Sequence, residues 1–199
     1  TLTLKQLKGH AYNLDSILLA NFIRKIPKNI QTIYDFGTGQ GVLLFYLSLK
    51  TNAQLIGYDI QKSLVELANE NIQHLKLENQ IKVIQKDIKE VDIFHGQMII
   101  SNPPYFKVTK DRPLSQLESR KIARHEVHLT LSELLEKVSS SLRSKGVFYM
   151  SYRPDRFVEL VEIATQYNLQ IKEVQYVHPY VDAQANLVLI KMLKDGNEG

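Results

Sequence analysis

The feature that most constrains the fold of this chain is an alternation between two periods. Short apolar runs, TIYDFG (32–37), QLIGYDI (54–60), IKVIQ (81–85), QMIIS (97–101) and GVFYMSY (146–152), read as strands. Between them the apolar residues recur at helical spacing. GVLLFYLSLK (41–50) is one such stretch, and in the next Leu64, Ala68, Ile72 and Leu75 share a face. Thr130 and Glu133 have the T-x-x-E spacing of a capping box, opening a helix with Leu131, Leu134, Leu135, Val138 and Leu142 on one side. Pro154 suits the first turn of another helix, where its missing N–H leaves nothing unpaired. Strands alternating with helices predict an α/β fold, a right-handed and mostly parallel Rossmann-like sheet with helices on both faces. The last two strands, 169–177 and 186–193, follow one another without a helix. They predict an antiparallel hairpin at the sheet edge.

The 199 residues are read as a single domain, 1–199, because no repeat, low-complexity tract or linker divides them. Residues 1–29 form a helical preface with Leu14, Ile17, Leu18 and Phe22 on one face. Residues 103–129 are a long charged connection, of a length that is usually functional or disordered, and are read as a substrate-facing loop. Opening on Thr1 and closing on a polar KDGNEG, the chain reads as a trimmed piece of a longer protein. Without cysteine it has no disulfide or thiolate metal site, which agrees with a reducing cytoplasm. No apolar run approaches the roughly 20 residues that cross a bilayer. The formal charge of +4 leans towards an anionic partner.

DFGTGQG (35–41) leaves a strand and opens a helix. Gly37, Gly39 and Gly41 permit a tight turn and close approach by a ligand, or simply a structural β–α turn. Their spacing is not the dinucleotide G-x-G-x-x-G, and the Asp35 carboxylate ahead of them would repel a pyrophosphate. It favours a cationic group instead, such as the amine or sulfonium of S-adenosylmethionine. Asp59 closes the second strand, where it can accept from ribose hydroxyls, and Asp87 follows the third, within reach of an adenine amine. Ile60 and Ile88 would offer apolar faces to that ring. Either aspartate alone reads first as a helix cap or a solvated strand end. Three acids at three consecutive strand ends point to a nucleoside-containing ligand.

SNPPY (101–105) ends the fourth strand. Proline fixes its own φ and pushes the residue before it into an extended conformation, so Asn102 and Pro103 are held stiffly. An exocyclic amine is a poor nucleophile because its lone pair is delocalised. The Asn102 side-chain oxygen and the Pro103 carbonyl can each accept one N–H, turning that lone pair out of conjugation. This is positioning and electrostatics, with no strong base required. Pro104 stiffens the turn and Tyr105 can stack on an extruded base. A rigid turn with a buried aromatic is the plainer alternative.

These residues, with YNLDSILLANF (12–22), GYDIQ (57–61), ARHE (123–126), YRPDR (152–156) and VHPYVDAQANLVLI (177–190), carry a resemblance. The chain resembles the class I, S-adenosylmethionine-dependent methyltransferases of the N-P-P-Y amino-methylating group. Within it, the chain is similar to the bacterial family that methylates N6 of adenine 37 in a valine tRNA. The resemblance covers nearly the whole chain. It implies a seven-stranded class I methyltransferase fold, S-adenosylmethionine as donor, and Asn102, Pro103, Pro104 and Tyr105 as the clamp on the target nitrogen. It also implies that Tyr12, Asn13 and Asp15 lie over the methionine end of the cofactor, which Asn102 touches as well. A family member would be expected to continue past residue 199.

Lys107, Lys110, Arg112, Arg120, Lys121 and Arg124 crowd the long connection, and Arg153 and Arg156 follow the next strand end. Charge beside such a clamp suits RNA phosphates, although each cation alone reads as ordinary surface. His125 and Glu126 lack further ligands at suitable spacing, so no metal is expected. The expected partner is the anticodon loop of a tRNA, and the expected state is a monomer. A protein glutamine amide offers the same two donors and remains an alternative substrate; DNA adenine methylation and a non-catalytic RNA-binding module are others.

Overall fold

The computed structural model describes residues 14–103 and 129–197. In chain order the elements are α1 (Leu14–Phe22), β1 (Thr32–Phe36), α2 (Val42–Ser48), β2 (Gln54–Asp59), α3 (Lys62–Leu75), β3 (Ile81–Gln85) and β4 (Gly96–Ser101). After the long connection come α4 (Leu131–Ser141), β5 (Leu142–Tyr152), α5 (Phe157–Gln166), β6 (Leu169–Val177) and β7 (Leu187–Lys194). The strands form one sheet in the order β3-β2-β1-β4-β5-β7-β6. β7 alone runs antiparallel to its neighbours, β5 and β6. The expected hairpin is therefore present, with its second strand inserted between β5 and β6 so that β6 forms the edge.

Side chains alternate across a strand, and here both faces are covered, as a parallel sheet requires. Along β4, Met98 and Ile100 join a core with α1, α2 and α3, while Ile99 joins the opposite core with α4 and α5. The capping box forms as expected. The Thr130 hydroxyl accepts from the Glu133 amide at 3.2 Å, and the Glu133 carboxylate accepts from the Thr130 amide at 2.7 Å. That backbone hydrogen bond holds the Glu133 carboxyl below its ordinary pKa.

The preface helix buries Phe22 and packs Leu18 against the core as expected, but its face is shifted. Leu14 is 61% exposed, whereas Leu19, Ala20 and Ile23 are fully buried. The inward face thus takes in Ser16, Leu19, Ala20 and Ile23 beside Phe22, a helical spacing that begins on a polar residue. Leu19 and Ile23 contribute about 1.5–3 kcal/mol each by burial. The Lys50 ammonium binds the carbonyls of Ala20 (2.5 Å) and Ile23 (3.3 Å), where a cation satisfies the free end of a helix. These contacts fix α1 against the sheet.

Candidate active site

The strand order reverses between β1 and β4, which is where open α/β sheets bind ligands. Asp35 on β1 lies opposite Ile100 on β4, so the glycine turn begins beside Asn102. The Ser101 hydroxyl donates to the Phe36 carbonyl at 2.7 Å and closes the seam between the two strand ends.

Gly37, Gly39 and Gly41 have φ of +74°, +56° and +78°, left-handed values that favour glycine. The amides of Gly37 and Thr38 both donate to the Tyr58 carbonyl, at 2.9 and 3.0 Å, hooking the turn onto β2. Nothing lies within 4 Å of a Cβ built on Gly37 or Gly39. The outer side of the turn is open.

Asp35 is 1% exposed. One carboxylate oxygen accepts the Thr38 hydroxyl at 2.7 Å; the other has no hydrogen-bond partner. Burial pushes the pKa up to about 7, against the Thr38 hydrogen bond and with help from the Asp59 charge. Thr38 can reach Asp35 only because residue 57 lacks a side chain: a Cβ there would stand 2.7 Å from the Thr38 side chain. Gly57→Ala is therefore expected to destabilise the protein by about 1–3 kcal/mol, the scale of an overpacked interior. Thermal melting tests this, and an unchanged midpoint would mean that Thr38 moves aside freely.

Asp59 is buried at the end of β2, where its two oxygens accept from the amides of Gly39 and Gln61, both at 2.8 Å. It therefore shapes the glycine turn. Asp87 accepts from the Lys89 amide at 2.9 Å and caps a 3-10 turn at Ile88–Glu90, the plainer role considered above. Its other oxygen stays available. Ile60 is 41% exposed and free to face a ring. Ile88 is not: the 3-10 turn directs it into the core with Val91 and Ile93, leaving it 6% exposed.

The set fits S-adenosylmethionine. A buried carboxylate oxygen without a partner suits a cationic group, the open glycines admit close approach, and Asp59 and Asp87 follow along the same edge. Asp35 would face the charged end, Asp59 the ribose, and Asp87 with Ile60 the adenine.

Asn102 stands between two serines. Its amide nitrogen donates to the Ser16 hydroxyl of α1 at 2.8 Å, and its oxygen accepts from the Ser151 hydroxyl of β5. Hydropathy gave no sign of Ser16. Ser151 was visible only as a lone polar residue in the apolar run FYMSY.

The two arginines after β5 are placed differently from one another. Arg153 grips Asp155 through Nε (2.9 Å) and Nη2 (2.8 Å) and keeps part of its surface. Arg156 is buried, its fork holding Glu159 at 2.9 and 2.7 Å and its guanidinium lying 5.5 Å from the centre of the Tyr152 ring. Its guanidinium is thus turned to partners within the protein. Tyr12, Asn13, Pro104, Tyr105, Lys107, Lys110, Arg112, Arg120, Lys121 and Arg124 lie outside the described residues. Among the described residues, no group of three or more His, Asp or Glu is placed to hold a metal, and no helix is long and apolar enough to cross a membrane.

Comparison with known proteins agrees with this geometry. A family profile described as a methyltransferase domain matches residues 27–188. A tRNA1(Val) (adenine(37)-N6)-methyltransferase of Tolumonas auensis is 30% identical over 178 residues, covering 88% of this chain and 73% of the relative. The protein of the same name from Parabacteroides distasonis is 30% identical over 181 residues, with 89% and 74% covered. Among solved structures, a predicted O-methyltransferase from Agrobacterium tumefaciens superposes with a TM-score of 0.71 at 18% identity, over 92% of this chain and 82% of that one. A geranyl diphosphate methyltransferase in complex with S-adenosylmethionine gives 0.67 at 12% identity, over 91% and 84%, a likeness of fold alone. From the domain profile and from relatives matched along most of both chains, the chain belongs to the class I, S-adenosylmethionine-dependent methyltransferases, in the tRNA1(Val) (adenine(37)-N6)-methyltransferase family.

Proposed function

We propose that this chain methylates N6 of an adenine in tRNA, adenine 37 beside the anticodon of a valine tRNA, in the cytoplasm. The observation that carries the reading is Asn102, held by both ends of its amide at the strand end that adjoins the glycine turn. The names of the curated relatives supply the substrate.

When bound, S-adenosylmethionine supplies an electrophilic methyl group on a positively charged sulfur. The chain's own residues do the rest. Asn102 Oδ1, with one lone pair beyond the bond from Ser151, accepts one amine N–H, and the Pro103 carbonyl accepts the other. The nitrogen lone pair is thereby turned towards the methyl, and the methylated nitrogen sheds its extra proton to water. Tyr105 stacks on the extruded base, which costs least to extrude from a single-stranded loop. Lys107, Lys110, Arg112 and Arg153 hold the flanking phosphates. The hairpin tip between β6 and β7 opens at the same edge, where Tyr180 is 79% exposed and available to a second base.

The test is nucleoside mass spectrometry of unmodified tRNA after incubation with the protein and S-adenosylmethionine. N6-methyladenosine in the anticodon loop is the expected product. Methylated glutamine in protein, with no modified adenine, would replace this reading with the rival one.

A further inference from the structure

We propose that Ser16 and Ser151 are positioning residues for methyl transfer, which fix the plane of the Asn102 amide from opposite sides. This rests on the reading of Asn102 as the amine clamp. The terminal torsion of an asparagine is broad and two-fold, so backbone rigidity from the following prolines does not settle where its oxygen points. A clamp needs more than that: productive geometry tolerates about 0.5 Å and 10–20°. Here Asn102 Nδ2 donates to Ser16 at 2.8 Å while Oδ1 accepts from Ser151. Two anchors on the two ends of one planar amide leave it no free rotation.

The placement of both serines favours this role over incidental bonding. Ser151 is fully buried on β5, between Met150 and Tyr152 in an otherwise apolar stretch. A hydroxyl there costs free energy unless paired, and Asn102 pairs it. Ser16 occupies the inward face of α1 one turn ahead of Leu19 and Ala20, so the packing that docks α1 also delivers its hydroxyl. A serine hydroxyl takes one lone pair of Oδ1 and leaves the other for the substrate amine. The helix before the sheet and the strand on the far side of β4 thus both enter the reaction through one side chain.

The experiment is a mutant cycle on the full chain with unmodified tRNA, reading kcat, KM and cofactor affinity separately. Ser16→Ala and Ser151→Ala should each lower kcat about 3–10-fold, the scale of one hydrogen bond, with KM for tRNA and cofactor affinity unchanged. In an Asn102→Ala background neither serine change should lower the residual rate further, since the side chain they hold is gone. Full turnover in Asn102→Ala would remove the clamp reading itself. A slow Asn102→Ala with both serine variants at full rate, or with serine losses that multiply in the double variants, overturns the positioning role alone.

Discussion

Asn102→Ala is expected to keep most of its affinity for S-adenosylmethionine and to turn over tRNA about 100-fold more slowly, as loss of a transition-state hydrogen-bond partner typically does. The reason lies in what remains. The acids proposed to face the cofactor sit on β1, β2 and the turn after β3, and the substitution touches none of them. The Pro103 carbonyl still accepts one N–H of the amine. The second N–H loses its acceptor, and the nitrogen lone pair relaxes back into conjugation with the ring. Asn102→Asp keeps an acceptor oxygen and should recover part of the rate, although it no longer offers the N–H that binds Ser16. Single-turnover rates with calorimetric cofactor affinities separate the two effects. Turnover at the native rate in the alanine variant would dismiss the clamp.

Asp35→Asn should make the protein more stable at pH 8 while depriving it of its cofactor. The Asp35 carboxyl rises from 3.8 to about 7 on folding, chiefly through burial. Between those values the unfolded chain has released this proton and the folded protein still holds it. Native stability therefore falls as pH rises from about 4 to about 7 and levels off above, by about 4 kcal/mol at most for a shift of this size. Asparagine carries no such penalty, so its advantage grows across the same window. A bound cation reverses the preference by favouring the ionised carboxylate. The Kd for S-adenosylmethionine should thus fall about 10-fold between pH 6 and pH 8 in the native protein, and stay flat and weak in Asp35→Asn. Chemical denaturation at pH 5 and 8, with calorimetry at pH 6 and 8, measures both. A variant less stable than the native chain at pH 8 would mean that Asp35 is not a strained buried acid. The trade is between function and stability at one atom.

Elements with an unbroken period were legible in the sequence. The strands, the helix face at Leu64 to Ile72, the Thr130–Glu133 capping box and the closing hairpin all follow from local spacing. The glycine turn and its acids were legible as residue types at strand ends. What was not legible is which partner each side chain meets, at short range as well as long. Hydropathy turned α1 towards Leu14 because nothing local says that Ser16 faces inward to meet Asn102. Arg156 read as surface charge, yet Glu159 waits three residues on and the Tyr152 ring covers it. Ile88 read as ligand-facing because the 3-10 turn that sends it into the core is set by Asp87, the same residue expected to bind adenine.

The position of Asn102 has a consequence for how the protein folds. The bond that seams β1 to β4 closes a loop of 65 residues, the one from Ser16 spans 86, and the one from Ser151 spans 49. Loop closure of that kind must be met before its contacts reward it, so such pairings form late and slow the whole reaction. The three segments that hold Asn102 are expected to come together only once the central strands have joined. A partly folded chain carrying the glycine turn and its acids would still lack an ordered clamp, and chemistry would begin only with the completed sheet.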